Sequence, residues 1–274
     1  MSNRRLCVLG AGNMGRALLS GLLRSGTRAE QLAVGESHAP VREQLARELG
    51  ITAAPDNETA VAGADVVVLA VKPQDAAAVL RDLTKALAVR RPLLISVCAG
   101  TRVQDLEGWA GPEVPVVRAM PNRPALVGAG ISGLYAPLKV GAPLRATAEE
   151  VLKAVGEVVW VPTEDALDVV TALSGSGPAY FFLLAECMAE AGAQLGLEHQ
   201  VAQRLAAATL HGSGLLAHAT GQDLAKLRAE VTSRGGTTDA ALRTLEAAGF
   251  KALIAKALSA AAARGRELAA ASRN

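Results

Sequence analysis

The stretch Leu6-Cys7-Val8-Leu9-Gly10-Ala11-Gly12-Asn13-Met14-Gly15-Arg16-Ala17-Leu18 decides the fold. Four apolar residues read as a buried strand and run straight into Gly10-x-Gly12-x-x-Gly15, after which Arg16 to Leu23 has the pattern of a helix. In such a unit the first glycine permits a tight turn. The second lets a pyrophosphate approach the main chain, and the third lets helix and strand pack closely. The motif alone is common, and a glycine-rich packing turn is the competing reading. Its place between a strand and a helix favours a dinucleotide site.

Outward from that unit, apolar strand-like runs recur at Leu32–Val34, Val66–Val71, Leu93–Val97, Val116–Ala119, Gly130–Leu134 and Val158–Val161. Helical patterns such as Val41–Leu49 and Gln74–Leu87 lie between the early ones. Alternation of this kind, with nearly continuous apolar strands, predicts an α/β fold: a doubly wound, Rossmann-type parallel sheet covered on both faces. After Pro162 only helical periodicity remains. Helices are expected at 166–173, 178–195, 199–219, 222–231, 237–248 and 250–271. The expected division is a dinucleotide-binding domain over 1–164 and an all-α domain over 165–274.

The helix that starts at Pro178 is apolar nearly all round, through Ala-Tyr-Phe-Phe-Leu-Leu-Ala, so it has to be buried. A second subunit is the expected cover; a central helix in a monomeric bundle is the alternative.

A second glycine-gated helix start occurs at Val231-Thr232-Ser233-Arg234-Gly235-Gly236-Thr237-Thr238-Asp239. Free N–H groups at a helix start, with the helix dipole behind them, form a socket for a small anion such as a carboxylate. A turn capped by threonine reads equally from these residues.

Composition narrows the class. The 274 residues are 50% hydrophobic but only 3% aromatic, so the core relies on small side chains. Lys plus Arg (28) nearly balance Asp plus Glu (26), and a net charge of +2 offers no basic surface for nucleic acid or anionic membrane. The start Met1 to Arg5 runs into a strand rather than a secretion signal, and no uncharged apolar run reaches the length of a membrane span. Cys7, Cys98 and Cys187 are far apart in apolar surroundings and read as buried thiols in a reducing, cytoplasmic compartment. His38, His199, His211 and His218 form no metal-ligand pattern.

Taken together, Gly10-Ala-Gly-Asn-Met-Gly15, Val71-Lys72-Pro73-Gln74, Arg118-Ala-Met-Pro-Asn122, Leu173-Ser-Gly-Ser-Gly-Pro-Ala-Tyr180 and Val231-Thr-Ser-Arg-Gly-Gly-Thr-Thr238 resemble the pyrroline-5-carboxylate reductase family. The likeness runs over essentially the whole chain, and the last two motifs are the most specific. It implies NAD(P)H-dependent reduction of a cyclic imine to L-proline. It also implies a homo-oligomer whose helical domains interlock, each active site being completed by the partner's helices. Cofactor contacts then fall on Gly10, Gly12, Asn13, Met14 and Gly15, on Lys72 and Pro73, on Ala99 and Gly100 within Ser96–Gly100, and on Met120, Pro121 and Asn122. Substrate contacts fall on Ser233, Gly235, Gly236, Thr237 and Thr238, with Thr238 and Lys72 as the catalytic candidates.

Three positions depart from the family pattern. Arg123 replaces a usual threonine, Arg234 a common proline, and Glu36 a small or basic residue. Glu36 is placed to bind a ribose hydroxyl, as in NAD enzymes, while Ser37 and His38 could donate to the 2′-phosphate of NADP, so both cofactors are expected to serve. A 3-hydroxyacid dehydrogenase of similar shape would need a catalytic lysine in the second domain, and Gly192 to Gln203 contains none. A non-catalytic nucleotide sensor would have no use for the Ser233–Thr238 loop.

Overall fold

The computed structural model describes residues 4–271, apart from the side chains of Leu268 and Ala271. The described residues form two compact units, one of 176–260 and one of the remainder, up to 175 and from 261 onward.

The first unit is built on an eight-stranded sheet in the order β3-β2-β1-β4-β5-β6-β7-β8. Its strands are β1 (Leu6–Leu9), β2 (Leu32–Gly35), β3 (Ala53–Ala54), β4 (Val66–Leu69), β5 (Leu93–Ser96), β6 (Val116–Met120), β7 (Gly130–Tyr135) and β8 (Gly156–Trp160). Strands β1 to β6 are all parallel, with Leu6 opposite both Leu32 and Val66. The chain leaves β3 at one edge and returns beside β1 as β4. The topological switch point therefore lies between β1 and β4, where open α/β sheets bind ligands at the carboxyl ends of their strands.

The alternation along each strand explains why these runs are apolar throughout. Leu6, Val8, Val66, Val68 and Ile95 point to one face, where they pack with Leu18, Leu22, Leu45 and Leu152. These belong to α1 (Asn13–Arg24), α2 (Ala39–Leu49) and α6 (Ala142–Lys153). Cys7, Leu9, Val67, Leu69 and Leu94 point to the other face, against Val61, Leu80, Leu83 and Leu106. These come from α3 (Asn57–Val61), α4 (Ala76–Arg90) and α5 (Val103–Ala110). With both faces covered, every position of the central strands is buried, and each large side chain contributes on the order of 2 kcal/mol.

Two features differ from the expected sheet. Strand β7 runs antiparallel to β6, with Arg118 opposite Tyr135, and then pairs in parallel with β8. The two-residue β3 is too short to show in the sequence pattern. The cysteines also divide. Cys7 and Cys98 are buried, but Cys187 is exposed, against expectation.

The helical part follows the expected periodicity closely. It comprises α7 (Ala166–Val170), α8 (Gly177–Gln194), α9 (His199–Thr220), α10 (Leu224–Glu230), α11 (Thr237–Ala247) and α12 (Phe250–Ala271). The single helix expected over 166–173 is instead a short α7 that widens into a π turn over Thr171–Gly175. In the second unit α8 and α9 pack through Ala189, Ala202 and Ala206, the small-residue contact that the composition implies. Among the described residues of α8 only Gly177 and Ala189 are buried, while Phe181, Phe182, Leu183, Leu184 and Met188 are exposed. The stretch Ala166–Gln194 is also long and apolar enough, by length and composition, to cross a membrane.

A buried ion pair ties the segment after β8 to the sheet. Glu164 Oε1 accepts from Arg118 Nη1 on β6 at 2.6 Å and from the Val103 N–H at 2.8 Å. Arg102 adds pairs to Asp165 and, at 3.7 Å, to Asp168. The Arg118 side chain is only 7% exposed, so removing its partner strands a charge inside the protein. Glu164→Ala is predicted to cost about 3 kcal/mol of first-unit stability, and Glu164→Gln, which can still accept from Val103, less. Denaturant unfolding followed by Trp109 and Trp160 fluorescence checks this; an unchanged midpoint for Glu164→Ala would contradict it.

Candidate cofactor and substrate sites

The glycine turn after β1 is built by three different steric demands. Gly10 has φ +94°, and a Cβ there would meet the Ala70 carbonyl oxygen at 2.8 Å. A Cβ on Gly15 would collide with the Gly10 carbonyl oxygen and come within 3.3 Å of Val8. Gly12 is the opposite case, since a Cβ there would project into open space with nothing within 4 Å. Gly12 is the N-cap of α1 and makes no side-chain cap hydrogen bond. The first amide to find a helical acceptor is Arg16, bonded to the Gly12 carbonyl at 2.9 Å. The N–H groups of Asn13, Met14 and Gly15 precede it and so lack helical acceptors. An open approach with unshared donors and a helix dipole fits a pyrophosphate.

The other expected cofactor residues lie along the same carboxyl edge of the sheet. Glu36 follows β2, and its carboxylate is fixed by accepting from the Ala11 N–H at 3.3 Å and the His38 N–H at 2.9 Å. Ser37 Oγ lies 3.3 Å from His38 Nδ1, and Arg42 Nη1 donates to the carbonyls of Glu36 and Ser37 at 2.9 and 2.6 Å. Lys72 and Pro73 follow β4, where Lys72 is exposed and caps a short 3-10 turn. After β5 the chain turns through Ala99 and Gly100, the latter at φ +77°. Within that turn burial pushes the Cys98 thiol up to about 11, and its Sγ donates to the Val71 carbonyl at 3.3 Å, so it is neither a thiolate nor a nucleophile.

Met120 ends β6, and its methyl group lies where a side chain on Gly175 would have to go. The Asn122 amide is used internally. Its Oδ1 accepts from the Ile131 N–H at 3.0 Å and its Nδ2 donates to the Ser174 carbonyl at 3.2 Å. Asn122 thus shapes the edge of a cavity of about 220 Å³, shared with Asn13, Met14, Pro121, Arg123 and Gly175.

The second unit carries the other glycine-gated helix start. Here α11 begins at Thr237 with Gly236 as its N-cap, and no side chain caps it. Ala240 is bonded to the Gly236 carbonyl at 3.1 Å, which leaves the amides of Thr237, Thr238 and Asp239 without helical acceptors. The alternative of a threonine-capped turn therefore does not describe this helix. Gly235, at φ +73°, donates its N–H to Asp239 Oδ2 at 2.9 Å, and the same oxygen accepts from Arg243 Nη2 at 2.7 Å. Ser233 closes the turn by accepting from the Gly236 N–H through its carbonyl at 2.9 Å.

The sequence reading missed the positioning parts. Arg118 was visible only as one more residue of a motif, although a charge inside an otherwise apolar strand signals a buried partner. Asp239 was read as part of the helix start, whereas its carboxylate braces the loop.

Comparison with known proteins assigns both parts of the chain to families. Residues 164–268 match the family described as pyrroline-5-carboxylate reductase dimerisation, and residues 5–100 match NADP oxidoreductase, coenzyme F420-dependent. The pyrroline-5-carboxylate reductase of Pseudomonas aeruginosa is 45% identical, with 98% of each chain covered. The solved structure of a pyrroline-5-carboxylate reductase from Coxiella burnetii superposes with a TM-score of 0.93 at 38% identity, covering 97% of this chain and 98% of that one. The Plasmodium falciparum pyrroline carboxylate reductase, solved with NADP bound, gives 0.83 at 29% identity over 98% and 99%. With that identity sustained over nearly the full length of both chains, this protein belongs to the pyrroline-5-carboxylate reductase family.

Proposed function

We propose that the protein reduces 1-pyrroline-5-carboxylate to L-proline, the last step of proline biosynthesis, with NADPH or NADH as reductant. One observation carries the reading: a single chain holds two glycine-gated helix starts without side-chain caps, at Gly12 and Gly236, each offering backbone donors to an anion. One suits the pyrophosphate of a dinucleotide. The other suits the carboxylate of a small cyclic imine.

When bound, the reduced nicotinamide supplies the hydride. The chain's own work is to bind and orient. The amides at the start of α11 hold the substrate carboxylate and so fix the ring. The protonated imine N–H donates to the Thr238 hydroxyl oxygen, which keeps the C=N bond polarised toward nitrogen. The imine arrives protonated from water, so no strong acid is required of the protein. Lys72 sets a positive charge at the cofactor edge and serves to position it.

The homo-oligomer forms through the dimerisation region. The exposed apolar face of α8, with Phe181, Phe182, Leu184 and Met188, is the surface that a second copy covers. That reading also accounts for the apolar composition of Ala166–Gln194 without a membrane. Free cysteines at 7, 98 and 187 suit a reducing, cytoplasmic location.

Purified, folded protein given pyrroline-5-carboxylate should oxidise NADPH or NADH, with loss of absorbance and formation of proline. No substrate-dependent loss with either cofactor would overturn the reading. Thr238→Ala should keep the fold and NADPH binding yet lower kcat/KM by roughly tenfold or more, with Thr238→Ser recovering much of it. Wild-type kcat/KM in Thr238→Ala would remove the hydroxyl from the chemistry.

Cofactor choice gives a separate test. The carboxylate of Glu36 repels a 2′-phosphate by about 1 kcal/mol at contact distance in water, or roughly fivefold. Glu36→Ala is therefore expected to raise the NADPH to NADH ratio of kcat/KM by about that factor. An unchanged ratio would place Glu36 away from the ribose.

A further inference from the structure

The loop after β6 carries a cation that no role described so far uses. Arg123 opens a 3-10 turn, Arg123–Val127, with Asn122 as its cap. Its backbone is held firmly, because both ends of the Asn122 amide are bonded and the Ala125 N–H donates to the Asn122 carbonyl at 3.1 Å. The guanidinium itself is exposed, and among the described residues it pairs with no carboxylate.

Arg123 lines the cavity of about 220 Å³ together with Asn13 and Met14, the first two residues of α1. That helix end carries partial positive charge on unshared N–H groups. A guanidinium on the same cavity adds charge of the same sign, and none of the residues lining the cavity is an acid. The carboxylate at the glycine loop, Glu36, is held at the Ala11 N–H. The apposition is unfavourable until a polyanion enters between them.

We propose that Arg123 is the second arm of a clamp on the dinucleotide pyrophosphate, the first arm being the start of α1. The proposal rests on the reductase reading above. A guanidinium presents a planar fork that matches phosphate oxygens bidentately, so it adds directional donors to those of the main chain. The substrate carboxylate is the other anion this chemistry would accept. The pyrophosphate is favoured because the cavity wall includes the helix start of the glycine motif, where Gly12 leaves the approach open. Since NADH and NADPH share the pyrophosphate, Arg123 contributes to affinity for both and leaves the choice between them to the region of Glu36.

Calorimetric titration of the full-length protein with NADPH and with NADH, without substrate, tests this for wild type, Arg123→Thr and Arg123→Lys. Arg123→Thr should weaken both cofactors equally, by roughly tenfold, with an unchanged melting temperature and unchanged KM for the imine. Its Kd should also depend less steeply on salt, and Arg123→Lys should recover part of the loss. Unchanged Kd values in Arg123→Thr would overturn the clamp, as would a loss confined to NADPH or one confined to imine KM. These last two would assign Arg123 to the 2′-phosphate or to the substrate carboxylate. A wild-type protein that binds neither cofactor would overturn the reductase reading and the clamp together, whereas wild-type binding with an insensitive Arg123→Thr overturns the clamp alone.

Discussion

Gly15 has no room for a side chain, and the arrangement of the cofactor edge follows from that. The Gly10 carbonyl oxygen occupies the space that a Cβ on Gly15 would take, so α1 lies directly against the end of β1. Gly10 in turn sits against the Ala70 carbonyl that follows β4, which locks the turn into the switch point of the sheet. Between these two crowded glycines, Gly12 faces open space. The same few residues therefore pack tightly on one side and leave unshared amides on the other. A sequence that relaxed either contact would tilt α1 and blunt the socket.

The second unit solves a similar problem with different means. At Gly236 the helix start is open because its cap is a glycine, and Asp239 braces the turn by accepting from Gly235 and Arg243. An acid in the first turn of a helix is stabilised by the dipole. Here its oxygen is already bonded within the loop, so the amides of Thr237 and Thr238 stay available to another anion. A proline at position 234 would be one source of loop rigidity, which Arg234 does not provide. The Asp239 brace supplies another.

Much of this was legible from the residues. Strand β1 is bounded as its buried apolar run predicts, and α9 and α12 are bounded almost to the residue because left-handed glycines mark them, Gly221 ending α9 and Gly249 preceding α12. What escaped was information that periodicity does not hold. The direction of β7 is not encoded in its alternation, and β3 consists of two alanines with no strand signal. Cys187 was expected to be buried because its neighbours are apolar, but a single chain leaves that face of α8 uncovered. The amide of Asn122 holds the loop itself, a positioning role that its motif does not announce. The Arg118–Glu164 pair joins residues far apart in sequence, a relation that no local pattern shows.

The central claim is that the opening at Gly12 exists for a pyrophosphate, and one substitution separates it from packing. A methyl group at Gly12 meets nothing in the protein, so Gly12→Ala should melt with the wild type, whereas Gly15→Ala should not. In calorimetric titration with NADPH, Gly12→Ala is predicted to bind at least tenfold more weakly than wild type while remaining fully folded. Wild-type affinity in a folded Gly12→Ala protein would contradict the account.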